Sequence, residues 1–203
     1  MGVYLQGLTM GLAYVAPIGL QNLFVINSAL THTRRRALLT ALIVIFFDVT
    51  LALACFFGVG AVMERYGWLQ MAILLVGSLI VIYIGVGLLR AKVAELEQSR
   101  AESSIRKTIS SACVVTWFNP QAIIDGTMML GAFHATLSGP EGITFITGVA
   151  SASCLWFTGV TLLISIFSNR FDAKILRIIN VVCGAVIIFY GCKLLWSFVN
   201  MVM

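Results

Sequence analysis

The sequence predicts an all-α membrane protein: six transmembrane helices arranged as two inverted three-helix repeats, with the first helix of each half broken at a proline. Three observations predict it. Of 203 residues, 60% are hydrophobic and only 10% charged, with a mean hydropathy of +1.02. A soluble domain of this size could not bury that much apolar surface. Six apolar runs fall at about 3–30, 37–63, 68–89, 108–133, 142–168 and 177–200, each long enough for the roughly 20 residues of a spanning helix. Two of the 3 Pro lie near the middle of the first and fourth runs.

The first run contains YVAPIGLQNLF, where Pro17-Ile18-Gly19 interrupts the helix. Proline removes an intrahelical hydrogen bond and clashes with the preceding turn, and the freed carbonyls then need partners in protein or water. The run carries no Lys or Arg before it and is too long for the apolar part of a cleavable signal. The second run, IVIFFDVTLALA, holds Asp48 about 16 Å beyond its start, close to the membrane midplane. The third is uninterrupted and ends at a polar stretch, 91–107, read as a cytoplasmic linker. That linker divides the chain into a first repeat, 1–90, and a second, 108–203. The fourth run contains TWFNPQAIIDG, with its break at Asn119-Pro120 and Asp125 five residues beyond the proline. The fifth run is apolar, and the sixth carries Lys193, read as snorkelling to the interface. An odd number of spans per half inverts the second half relative to the first. Breaks at matching places in two such halves are the sequence sign of a solute site at the midplane.

Basic residues set the orientation. Arg34, Arg35 and Arg36 lie in the first loop, Arg90, Lys92, Arg100, Arg106 and Lys107 in the third, and Arg170, Lys174 and Arg177 in the fifth. By the positive-inside rule these loops face the cytoplasm. Six full spans then put both termini outside, whereas a re-entrant first run puts the N-terminus inside. The net charge of +5 is accounted for by topology and does not point to nucleic acid. Tyr66, Trp68 and Trp196 read as interfacial anchors, and Gly7-x-x-x-Gly11 as a close helix-packing motif. The 5 Cys all lie in apolar runs with no metal-ligand or C-x-x-C spacing, so they read as small buried hydrophobes with no metal or cofactor role. His32 and His134 sit at loop edges and read as solvated.

Of 8 Asp+Glu, only Asp48 and Asp125 interrupt apolar runs. A charged side chain at bilayer depth costs about 2.5–3.5 kcal/mol on insertion scales and usually faces a bundle interior or a wet cavity. Both carboxylates are therefore expected to face a cavity, bind a cation, or exchange a proton. The bland readings are a protonated Asp48 bonded to a neighbouring helix and an Asp125 that caps the second half-helix. Gln21 and Asn22 follow the first break; their amides suit an amino acid backbone, or else satisfy the orphan groups of the kink. A helix N-terminus at a break favours a carboxylate, while carbonyls and Asp favour an ammonium.

Taken together, PIGLQNLFVINSAL, FFDVTLALACFFGVGA, TWFNPQAIID, SASCLWF and RIINVVCGAVI resemble the lysine exporter (LysE-type) family. Within it they resemble the bacterial exporters of basic amino acids, over nearly the whole chain. That branch is similar in carrying P-x-G-P-Q-N in the first span, Asp in the second and W-x-N-P-x-x-x-x-D in the fourth. The resemblance implies that Pro17, Gly19, Gln21, Asn22, Asp48, Asn119, Pro120 and Asp125 are the functional residues. It implies a multi-pass secondary exporter of lysine or arginine in the bacterial cytoplasmic membrane, driven by protons or membrane potential, without cofactor and plausible as a homo-oligomer. Leu20 replaces the family's second proline, so the kink at 17–19 is expected to be less rigid. Competing readings are an exporter of neutral amino acids, a divalent-cation exporter, a passive channel, and an intramembrane aspartyl protease, whose G-x-G-D motif is missing here.

Overall fold

The computed structural model describes residues 2–58, 66–90, 104–134, 136–137, 139–167 and 173–202. Every regular element among them is helical: α1 (Val3–Val15), α2 (Leu20–Thr31), α3 (Arg34–Phe56), α4 (Gly67–Arg90), α5 (Ile105–Trp117), α6 (Pro120–Gly126), α7 (Pro140–Phe167) and α8 (Ala173–Val202). α6 runs on through a π-helical segment, Thr127–Gly131, and a last turn, Ala132–His134. Residues 91–103 of the expected linker lie outside the described residues, and α5 begins at Ile105, three residues before the expected start of the second repeat.

Both expected breaks are present, and each proline acts differently. α1 stops at Val15, with Ala16 donating the last backbone bond to Leu12 O. Pro17, with no N–H, cannot continue the ladder. Gly19 then takes an extended conformation and starts α2 at an angle of 77° to α1. At the second break Phe118 N bonds Val114 O, Asn119 takes the N-cap position, and Pro120 opens α6 at its first position, where a missing N–H costs nothing. Pro17 therefore sits inside a break, whereas Pro120 begins a new helix.

By length and composition α3 and α7 are each long and apolar enough to cross a membrane, and the bent α1–α2 pair passes as one broken span or a re-entrant loop. α3 is the central element, packed against α7, α5 and α2. α1 lies along α7, α4 along α8. Glycine permits both pairings. A Cβ added at Gly7 would collide with the Phe145 carbonyl, one at Gly148 with Tyr4 O, and one at Gly11 would lie 2.7 Å from the Ala152 methyl. On the α4–α8 seam a Cβ at Gly184 would lie 2.9 Å from Gly85 O. The Gly7-x-x-x-Gly11 reading thus finds its partner in Gly148 of α7.

The core is made of Val15, Val25, Val44, Ile45, Ala112 and Phe157 at one level, and Ala52, Phe56, Leu130, Phe145, Ile146 and Val149 at another. Outward faces are also apolar: Leu42 and Phe46 on α3, Ile143, Leu155 and Leu163 on α7, Phe189 and Trp196 on α8 are all exposed. Apolar residues on both inner and outer faces are what a helix in lipid requires. Trp68, Tyr66 and Trp196 are exposed, as anchors must be. Cys55 is buried, but Cys154 and Cys192 are exposed on the outer faces, which corrects the reading of every cysteine as buried. His134 is likewise not simply solvated: its ring packs edge-on against Phe56 and Phe57. Arg36 donates through Nη2 to Thr108 Oγ1 at 2.8 Å, which brings the basic start of α3 and the basic start of α5 to one end of the molecule.

Candidate functional site

The two helix breaks, far apart in sequence, line one open-sided cavity of about 140 Å³. The α1–α2 break contributes Pro17, Ile18, Gly19 and Gln21, and the α5–α6 break contributes Asn119, Gln121 and Asp125. Its volume corresponds to a few water molecules at about 30 Å³ each, so it suits a small solute.

Asp125 lies one turn into α6, half-buried on the cavity wall. Its Oδ1 accepts a 2.7 Å bond from Gln121 Nε2, four residues earlier. The cap position belongs to Asn119, so Asp125 is not a helix cap, and its Oδ2 is left for a ligand. Asn119 is 8% exposed and makes no side-chain capping bond. Its carboxamide lines the cavity and has no partner among the described residues.

Asp48 is fully buried on α3 and does not line the cavity. Its Oδ1 accepts from Gln21 Nε2 at 3.0 Å and its Oδ2 from Ser153 Oγ of α7 at 2.5 Å. Gln21 also donates to Thr116 Oγ1 of α5 at 3.1 Å. One carboxamide therefore stands between the cavity and the buried carboxylate, both its hydrogens in use and its Oε1 still an available acceptor. The expectation that both carboxylates face a cavity is corrected in this respect: Asp125 does, and Asp48 lies one hydrogen bond behind it. Among the described residues no Lys or Arg pairs with either carboxylate.

Asn22 holds the first break in shape. Its Nδ2 donates to Val15 O at 2.9 Å and Pro17 O at 2.8 Å, satisfying carbonyls left open where α1 ends. Its Oδ1 accepts from Trp156 Nε1 at 2.8 Å. Both amide hydrogens of Asn22 are thus spent on backbone. The N–H groups that open α2 behind Gly19 lack intrahelical partners and border the cavity, a positive end suited to a carboxylate. Leu20, in place of a second proline, is buried against Leu23, Val115 and Ile187.

Several residues of the network were not singled out in the sequence. Ser153 and Trp156 belong to SASCLWF, Thr116 precedes the second break, and Tyr14, whose hydroxyl donates to Ala122 O at 3.4 Å, ties α1 to α6. The available signal was polarity inside apolar runs, which the carboxylates dominated. The π-helical turn directly after Asp125 is a further irregularity of a kind common at functional sites.

The cavity therefore offers acceptors in Asp125 Oδ2 and Gln21 Oε1, a carboxamide at Asn119 that can accept or donate, and the helix N–H groups that open α2. No nucleophile with an adjacent base is present among its lining residues.

A model of the LysE-type translocator family matches residues 12–197. The chain is 35% identical to the arginine exporter protein ArgO of Klebsiella pneumoniae (strain 342), covering 94% of this chain and 92% of the relative. It is 35% identical to ArgO of Salmonella newport over 90% of this chain and 88% of that protein. ArgO of Escherichia coli K12 is 33% identical over 94% of this chain and 92% of its own length. No solved structure matches the chain.

Proposed function

The chain belongs to the LysE-type translocator family, and from that premise we propose that it carries basic L-amino acids, arginine and lysine, from the cytoplasm outward. It is a transporter and not an enzyme, a multi-pass protein of the bacterial inner membrane that exports amino acids. The proposed architecture is six spans in two inverted halves, with the solute held where the halves meet.

One observation carries the substrate reading: both helix breaks converge on a single cavity that holds a carboxylate with no cationic side chain among its lining residues. The solute's carboxylate sits at the N-terminal end of α2, where backbone N–H groups and the helix dipole favour negative charge. Its guanidinium or ammonium lies against Asp125 Oδ2, with Gln21 Oε1 and Asn119 as further acceptors. Asn22 and Trp156 keep the break in the conformation that presents those N–H groups.

Moving a cation outward against an inside-negative potential costs about 2.3 kcal/mol per charge per 100 mV. A proton moving inward in exchange removes that cost, so the exporter works as an antiporter driven by the proton motive force. Asp48 is the carboxylate suited to carry the proton: it is shielded from the cavity by Gln21 and reached only when that carboxamide swings away. The test is efflux of preloaded labelled arginine and lysine from cells with and without the gene, with and without a protonophore. Gene-dependent efflux of both, collapsed by the protonophore, is expected. Equal efflux with and without the gene would overturn the reading.

A further inference from the structure

A second cavity, of about 160 Å³, lies between α2, α3 and α5 and is lined by Asn27, Ser28, His32, Thr40, Lys107, Thr108 and Ser111, with Phe24 at its apolar wall. It sits at the basic end of the molecule, where Arg36 bonds Thr108, the cytoplasmic end by the positive-inside rule. Most of its hydroxyls are already satisfied: Ser28 Oγ donates to Thr40 Oγ1, which donates to Arg36 O. Three groups are not. Asn27 Oδ1 is buried without a partner, and the Ser111 hydroxyl and Lys107 ammonium have none among the described residues. One residue with an unpaired acceptor thus shares the cavity wall with two donors, one of them cationic. A buried unpaired acceptor costs about 1–3 kcal/mol, so it calls for a ligand with a donor.

The same three helices also lead to the central site. On α3, Thr40, Val44 and Asp48 recur at intervals of four and share one face. Thr40 borders the second cavity and Asp48 borders Gln21. On α2 the face runs from Ser28 through Val25 and Phe24 to Gln21. On α5 it runs from Thr108 through Ala112 to Thr116. Each stripe is polar at both ends and apolar between, and Val25, Val44 and Ala112 are fully buried in one cluster with Phe24 packed on it. Two polar cavities are thus separated by a dry plug about two helical turns thick, roughly 12 Å from Thr40 to Asp48.

We propose that the cavity between α2, α3 and α5 is a cytoplasmic loading site for an amino acid, which waits there before passing Phe24 into the central cavity. The Asn27 carboxamide turns its buried Oδ1 into the cavity to accept from the α-ammonium, and the α-carboxylate accepts from Ser111 and Lys107. The solute's side chain extends past the cavity mouth, so this site selects for the amino acid backbone and leaves selection for the cationic side chain to Asp125. The inference rests on the exporter reading above.

The test uses the full-length protein in inside-out membrane vesicles, whose cytoplasmic face is outward, with labelled arginine. Asn27→Leu is expected to raise the half-saturating arginine concentration at that face about tenfold, the loss expected for a hydrogen bond to a charged group, with maximal rate little changed. Asn27→Asp, which keeps an acceptor, retains near wild-type affinity, and Ser111→Ala shows a smaller rise. Counterflow measured from the other face in right-side-out vesicles stays at the wild-type value in all three. Unchanged half-saturation in both Asn27→Leu and Ser111→Ala, or an equal rise at both faces, overturns the loading site while leaving the exporter reading intact. Should Asn27→Leu fail to reach the membrane, Ser111→Ala decides by the same comparison. Wild-type vesicles that accumulate no arginine would overturn the exporter reading, and the loading site with it.

Discussion

Replacing Asp125 by Asn removes one negative charge from the cavity wall and little else. The side chains are nearly isosteric, and Asn can still accept the 2.7 Å bond from Gln121 Nε2 through its Oδ1. What changes is the atom facing the solute, an anionic oxygen replaced by a neutral amide. Two unit charges about 4 Å apart attract by about 1 kcal/mol in water and about 4 kcal/mol at an effective dielectric of 20. Asp125 is half-buried in a cavity open on one side, so the attraction falls between these limits, near 2 kcal/mol. That is about 30-fold in affinity, at 1.4 kcal/mol per factor of ten. The assay is competition against labelled arginine efflux by arginine and by citrulline, a neutral isostere of arginine. Wild-type protein should prefer arginine by about 30-fold, and Asp125→Asn should lose most of that preference at equal membrane abundance. A preference that survives Asp125→Asn intact would refute the assignment of Asp125 as the cation's partner.

Asp48→Asn should be more damaging. Its amide can keep Oδ1 on Gln21 Nε2 and donate through Nδ2 to Ser153 Oγ, whose hydrogen then turns to Val149 O, so the packing survives and the titratable carboxyl is lost. Without a group that can carry the proton, efflux should vanish and protonophore sensitivity with it, as read in the preloaded-cell assay. Ser153→Ala removes only one bond to that carboxylate and should leave measurable, weakened efflux. Trp156→Phe frees Asn22 Oδ1 and should slow efflux several-fold without lowering membrane abundance, as checked by immunoblot. Gly148→Val places atoms in the space of Tyr4 O and should destabilise the α1–α7 seam by about 1–3 kcal/mol or more, lowering the melting temperature of detergent-solubilised protein. Gly159→Val on the same helix, whose added Cβ meets nothing within 4 Å, should leave that temperature close to wild type.

The breaks were legible because proline and glycine act locally: a missing N–H at Pro17 or Pro120 disrupts the ladder wherever the helix is placed. The two aspartates were legible because charge in an apolar run is costly in any arrangement. Helix rotation about its own axis was not legible. Asp48 and Ser153 lie 105 residues apart, and only the docking of α3 against α7 decides that the carboxylate turns to Ser153 and Gln21 rather than into the cavity. For the same reason Asn22 could be named as polar and important, while its use as a staple for Val15 O and Pro17 O depends on the 77° bend. The polar residues around the second cavity carried weak signal: single Ser, Thr and Asn residues such as Thr40, Ser111 and Asn27 are tolerated in membrane helices, and only the meeting of three helices makes a cavity of them.

The central claim is that the cavity between the two breaks holds the exported cation against Asp125. The most direct measurement places a cysteine at position 119 in a background with the native cysteines replaced, and follows its labelling by a water-soluble thiol reagent with and without arginine. Arginine should protect Asn119→Cys at concentrations near those that half-saturate efflux, and Asp125→Asn should abolish the protection. Labelling that arginine leaves unchanged, in a protein that still exports it, would contradict the account.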